Sequence, residues 1–204
     1  EPSMETLCKH YRVIALDLPG HGLSDKPEIP YTLDNLTNFL KDFILAKKLN
    51  NIYLAGHSLG GAVCLNFVIK YPTIVRKLIT INSAFTKIPF IFRTLSPNFF
   101  QKINITVPRC IVKISTRRCF YNKKAITKDW LEYAYQYINK PGTLRTMCSI
   151  VHENMTFAGL KKELVNTFLN GLSQIHIPVL IVYSGKDHLV PNENSLILHK
   201  LIKN

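Results

Sequence analysis

The chain has 204 residues, 47% hydrophobic and 19% charged, enough for one domain with a core or one domain plus a small lid. That composition excludes low-complexity and collagen-like classes. No apolar run reaches the ~18 residues of a transmembrane helix, and the acidic opening Glu1-Pro2-Ser3-Met4-Glu5 has no basic segment with an apolar stretch behind it, so it does not read as a secretory signal.

Glu1 to Lys9 reads as the end of a helix. Tyr11 to Asp17 is a short, β-branched, nearly unbroken apolar run, expected as a parallel strand buried on both faces, and Pro19, Gly20 and Gly22 then break structure. Thr32 can cap a helix in which Leu33, Leu36, Phe39, Leu40, Phe43 and Ile44 recur at helical spacing. A second strand covers Ile52 to Ala55, the glycine-rich run Gly56 to Gly61 follows, and a helix from Ala62 to Lys70 stops at Tyr71-Pro72. Lys77 to Ile81 and Ile177 to Tyr183 read as further strands, and Asn192 to Lys203 as an amphipathic closing helix. This alternation predicts an α/β protein with a parallel sheet flanked by helices.

Residues 86–172 lack that rhythm. Trp130, Leu131, Tyr133, Ala134, Tyr137 and Ile138 form one helical face there, and Lys and Arg outnumber Asp and Glu by 14 to 4, against 12 to 9 elsewhere. The expected organisation is a core of residues 1–85 and 173–204, with 86–172 inserted as a basic, helical cap over the carboxyl ends of the strands. Cys8, Cys64, Cys110, Cys119 and Cys148 are odd in number and lack CxxC spacing. They argue against a disulfide framework or zinc site and for reduced thiols in a cytoplasmic protein.

Gly56-His57-Ser58-Leu59-Gly60 fits the G-x-S-x-G nucleophile elbow and has the required context, an apolar strand before it and a helix after it. On such a turn the glycines two residues either side are expected to leave room for the close approach. The Ser58 hydroxyl stands above the sheet at a helix N-terminus, where the local field favours an alkoxide. The Leu59 N–H points to where an oxyanion would form. Asp187, in Ser184-Gly185-Lys186-Asp187-His188 after the last strand, follows the serine in the order Ser…Asp…His and is placed to orient a histidine.

The runs DLPGHGLSDKP from Asp17, GHSLGG from Gly56 and SGKDHLVP from Ser184 resemble the α/β-hydrolase superfamily, most closely its lidded esterase, haloperoxidase-like and ring-cleavage-product hydrolase branches. The resemblance spans Tyr11 to Ile81 and Ile177 to Asn204. It implies Ser58 as nucleophile, Asp187 as triad acid and Leu59 as one oxyanion donor, with no cofactor and no metal. Asp17 and His21 fall in a loop whose role in such proteins is mainly structural. A serine at position 58, where dehalogenases and epoxide hydrolases carry aspartate, argues against those chemistries. The resemblance also implies a triad histidine beyond a further strand, three earlier strands, and a second oxyanion donor in a loop after one of them. No residue of the 204 matches these, so the fold is expected to be incomplete at both ends.

The expected function is therefore a serine hydrolase acting on a carboxylic ester or related carbonyl compound by acyl transfer. The alternative is a catalytically inactive remnant or binding protein of hydrolase ancestry. The expected partner is a small molecule, acidic or lipid-like to suit the basic cap, with peripheral membrane contact through that cap as a further possibility and no specific nucleic acid.

Overall fold

The computed structural model describes residues 2–88, 105–187 and 189–203. In chain order the elements are α1 (Pro2–Leu7), α2 (Leu33–Ala46), β1 (Ile52–His57), α3 (Leu59–Lys70), β2 (Val75–Ile81), α4 (Arg109–Cys119), α5 (Lys128–Ile138), α6 (Thr143–Asn154), the two-residue strands β3 (Met155–Thr156) and β4 (Gly159–Leu160), α7 (Lys162–Leu172), β5 (Val179–Val182) and α8 (Glu193–Leu201).

The sheet order is β1-β2-β5, all parallel. Register places Leu54 beside Leu78 and Leu78 beside Val179 on one face, and Ala55, Ile79 and Leu180 side by side on the other. The first face meets α3, whose residues Gly61 to Val68 are all buried. α2 begins where Thr32 Oγ1 accepts the Asn35 N–H at 3.1 Å, and packs on α3 through Leu33, Leu36, Leu40 and Ile44. Phe67, Leu65 and Leu78 sit at the centre of this core with 0% exposure. Although α7 lies within residues 86–172, its Phe168 and Leu172 belong to the same core, with the Phe168 ring edge-on to Phe85 at 5.5 Å.

Two sequence expectations need correction. Tyr11 to Asp17 forms no strand: the backbone of Arg12 to Leu16 makes no ladder with β1 or any other described strand. Composition identified a chain that favours extended structure, but a strand exists only where an edge lies within hydrogen-bonding distance, and here a gap intervenes. Burial on both faces is not met either. Tyr11 is 53% exposed and Ile14 42%, and on the sheet face away from α3 Leu180 is 58% exposed.

Candidate active site

β1 ends and α3 begins at Ser58, which adopts φ 53° and ψ −118°, a region that non-glycine residues rarely enter. Three bonds hold it there: its N–H donates to the Ile81 carbonyl at 2.9 Å, and its carbonyl accepts from Ala62 at 3.1 Å and Ala84 at 3.4 Å. The serine is thus tied to the end of β2 as well as to its own helix. Leu59 is the first residue of α3, so its N–H is one of the donors a helix start leaves without an internal partner.

The elbow glycines divide differently from the motif's symmetry. A Cβ on Gly56 would lie 2.3 Å from the Gly60 carbonyl oxygen and 2.7 Å from Cys64 Sγ. One on Gly61 would lie 2.0 Å from Ser83 Oγ. One on Gly60 would meet no described atom within 4 Å. Close packing of strand on helix therefore demands glycine at 56 and 61, and the expectation for Gly60 is corrected: nothing described crowds it. The Cys64 thiol beneath the elbow is pushed up to about 12 by burial, so it stays protonated at neutral pH.

Asp187 lies in the turn after β5, and three donors hold its carboxylate. Oδ1 accepts the N–H groups of Leu189 at 2.7 Å and Val190 at 2.9 Å, while Oδ2 accepts from Asn82 Nδ2 at 2.6 Å. A carboxylate offers about four acceptor positions, so Oδ2 retains room for one more donor such as an imidazole N–H.

Asn82 is the residue that sequence reasoning missed. It follows Ile81 at the end of β2 in the left-handed region, at φ 43°, donates its backbone N–H to Val182 at 2.9 Å, and accepts the Ser184 N–H on its side-chain oxygen at 2.9 Å. One side chain thus fastens both the Ser184 turn and the Asp187 carboxylate to the strand end that also holds Ser58. The available signal was an asparagine directly after an apolar strand, one of the few non-glycine types that tolerate a positive φ.

The basic segment approaches the same edge. Tyr121 Oη and Lys186 Nζ are 2.6 Å apart, and Tyr137 Oη accepts the Gly22 N–H at 3.2 Å. The Cys119 thiol at the end of α4 is pushed up, by local desolvation first and then by the charge of Asp187. Asp17 and His21 hold their own loop: Asp17 accepts the Leu23 N–H and the Ser24 hydroxyl, and His21 Nδ1 contacts the Pro19 carbonyl.

His57 and His199 are exposed, His57 at the end of β1 and His199 on α8. His152 is partly exposed on α6, and His188 lies outside the described residues. No described helix is long and apolar enough to cross a membrane.

The parallel sheet thus carries a strained serine between strand and helix and a firmly held aspartate after a later strand. The sequence matches the alpha/beta hydrolase fold family over residues 2–204, and the chain belongs to that family. It is 27% identical over 214 aligned residues to the AB hydrolase superfamily protein YisY of Bacillus subtilis, covering 100% of this chain and 74% of that protein. It is 28% identical over 190 residues to the 2-hydroxy-6-oxo-6-(2'-aminophenyl)hexa-2,4-dienoic acid hydrolase of Metapseudomonas resinovorans, covering 93% and 62%. A 77-residue stretch is 36% identical to an uncharacterized protein of Mycobacterium tuberculosis, of which it spans 23%. Among solved structures, the 2-hydroxy-6-oxo-6-phenylhexa-2,4-dienoate hydrolase of a Rhodococcus superposes with TM-score 0.80 at 20% identity, over 100% of this chain and 73% of the other. The chain spans less than two thirds of the length of the Mycobacterium and Metapseudomonas relatives.

Proposed function

We propose that the chain carries the nucleophile and acid of a serine hydrolase that acts on a carboxylic ester or related carbonyl compound by acyl transfer. The observation that carries this reading is the strained Ser58 at the head of α3, tied to the strand end whose Asn82 also grips Asp187. In the proposed reaction Ser58 Oγ attacks the carbonyl carbon and gives its proton to a histidine that acts as general base. Asp187 orients that histidine and stabilises its charged form. The Leu59 N–H faces the oxyanion. The protonated histidine then gives the proton to the leaving group, and water releases the acyl group from Ser58.

In this reading the cap is formed within residues 86–172 ahead of α7, which packs in the core, and its basic surface favours an anionic substrate. Support comes from the Metapseudomonas and Rhodococcus relatives, whose named substrates are oxo-acids, and from an esterase of Exiguobacterium antarcticum with TM-score 0.75. A fluorophosphonate probe tests the reading. It should label the full-length product on Ser58, and Ser58→Ala should abolish labelling while circular dichroism stays unchanged. In a triad protease, loss of the serine costs about 10⁶-fold in kcat. A wild-type protein that stays unlabelled removes the proposal.

A second reading is a non-catalytic binding protein of hydrolase ancestry, favoured by the open gap beside β1. Turnover of a p-nitrophenyl ester by the 204-residue chain, clearly above its Ser58→Ala variant, would exclude it.

A further inference from the structure

α4 has a face that no other described element covers. Only Val112 and Thr116, one turn apart, are buried, and they mark the side turned toward the protein. Away from that side Ile111, Lys113, Ile114, Arg117 and Arg118 are all exposed, Ile114 at 54% and Ile111 at 47%. Helical spacing sets Ile114 one turn after Ile111 and one turn before Arg117 and Arg118. Aliphatic and cationic side chains therefore share one surface.

The charge there is of one sign. Ile105 to Lys128 holds seven Lys and Arg and no Asp or Glu. Arg109 is paired with Glu132 of α5 at 2.5 Å, and Lys123 donates to the Arg117 and Phe120 carbonyls. Lys113, Arg117, Arg118 and Lys124 have no acidic partner among the described residues. Lys113 and Arg117 stand at i and i+4, where like charges repel and weaken a helix. An anionic partner turns that repulsion into attraction.

Four cations suit any polyanion, and the isoleucines decide among them. A nucleic acid rewards Lys and Arg at its phosphates and aromatic rings at its bases, but gains nothing from exposed aliphatic side chains. An anionic bilayer rewards both kinds of group. Its headgroups attract the cations, and aliphatic side chains enter the layer beneath while Lys and Arg stems reach up to the phosphates.

We propose that this face of α4 docks on an anionic phospholipid surface. Ile111 and Ile114 enter the headgroup layer, and Lys113, Arg117, Arg118 and Lys124 pair with the lipid anions. Tyr121, two residues past α4, meets Lys186 at 2.6 Å in the turn that holds Asp187, so the docking helix ends beside the candidate site. The docking itself requires none of the chemistry of Ser58.

Vesicle sedimentation of the 204-residue chain tests the inference. Phosphatidylcholine vesicles with about 30% phosphatidylserine should bind it at least about tenfold more tightly than pure phosphatidylcholine, and about 0.5 M salt should weaken that binding. Each cation near such a surface strengthens binding about fivefold, so Lys113→Gln/Arg117→Gln/Arg118→Gln should weaken it about a hundredfold. Removing the same charge elsewhere, as Lys9→Gln/Lys47→Gln/Lys200→Gln, should weaken it less than about threefold. Ile111→Ser/Ile114→Ser keeps every charge and should still weaken binding about tenfold. Every substituted side chain is exposed, so circular dichroism should stay unchanged throughout. Equal binding to both kinds of vesicle, or to neither, overturns the proposal, as does a control triple that loses as much as the α4 triple. An isoleucine variant that binds as tightly as wild type also overturns it, and tight binding of a single-stranded oligonucleotide would then assign the face to nucleic acid.

Discussion

The two faces of the β1-β2-β5 sheet are built from alternate residues of the same strands, yet they have opposite fates. Toward α3, Leu78 and Phe67 are 0% exposed. Away from it, Tyr53 is 46%, Leu180 58% and Val182 40% exposed. Parallel strands are ordinarily covered on both faces, which is why they read as unbroken apolar runs. Apolar composition therefore records how much burial a strand is suited to, and the described residues provide half of it. The closed face carries the elbow, because the Gly56 and Gly61 contacts that shape it require α3 seated hard against β1.

The largest expected effect breaks or confirms this contrast directly. Phe67→Ala should cost about 3–5 kcal/mol of unfolding free energy, since it removes a wholly buried ring from a packed core. Leu180→Ala, on the open face, should cost less than about 0.5 kcal/mol. Urea denaturation of both variants measures the difference, and equal losses would mean that the second face is covered in the working molecule.

The elbow gives a second, smaller contrast. Gly56→Ala places a methyl group against the Gly60 carbonyl and should destabilise by about 1–3 kcal/mol. Gly60→Ala sits inside α3 with open space about it and should stabilise by about 0.4–1 kcal/mol, through lost freedom in the unfolded chain. A Gly60→Ala variant that proves as damaging as Gly56→Ala would mean that an undescribed segment crowds the site.

Much of this was legible in the sequence, for physical reasons that differ from residue to residue. Thr32 caps α2 and Leu33, Leu36, Leu40 and Ile44 line its buried side as spacing implied, because helical periodicity is a local property. Ser58 was legible because a strand-to-helix turn of that tightness needs glycines nearby. Asn82 was not, because its role depends on β2 and β5 being neighbours, a pairing between residues 78–81 and 179–182 that no local pattern encodes. Tyr11 to Asp17 misled for the converse reason: its composition suits a strand, but a strand needs a partner edge.

The smallest effect concerns polar groups at the rim of the closed face. Asp34 of α2 accepts from Lys70 at 2.6 Å and from Asn66 at 3.0 Å, both on α3. Desolvation pushes its carboxyl up, but the Lys70 and Asn66 bonds prevail, and it titrates below the usual carboxylate range. A carboxyl held low in the folded state adds stability above its unfolded value, and this is lost as pH falls through the lower folded value. Asp34 is 59% exposed, so solvent screening limits the pair to less than about 1 kcal/mol. Asp34→Asn should lose that increment at neutral pH and show a shallower decline in acid, and about 1 M salt should bring wild type and variant closer together. If the variant retained the full acid dependence, Asp34 would contribute nothing to the α2–α3 junction, and apolar packing alone would account for the closed face.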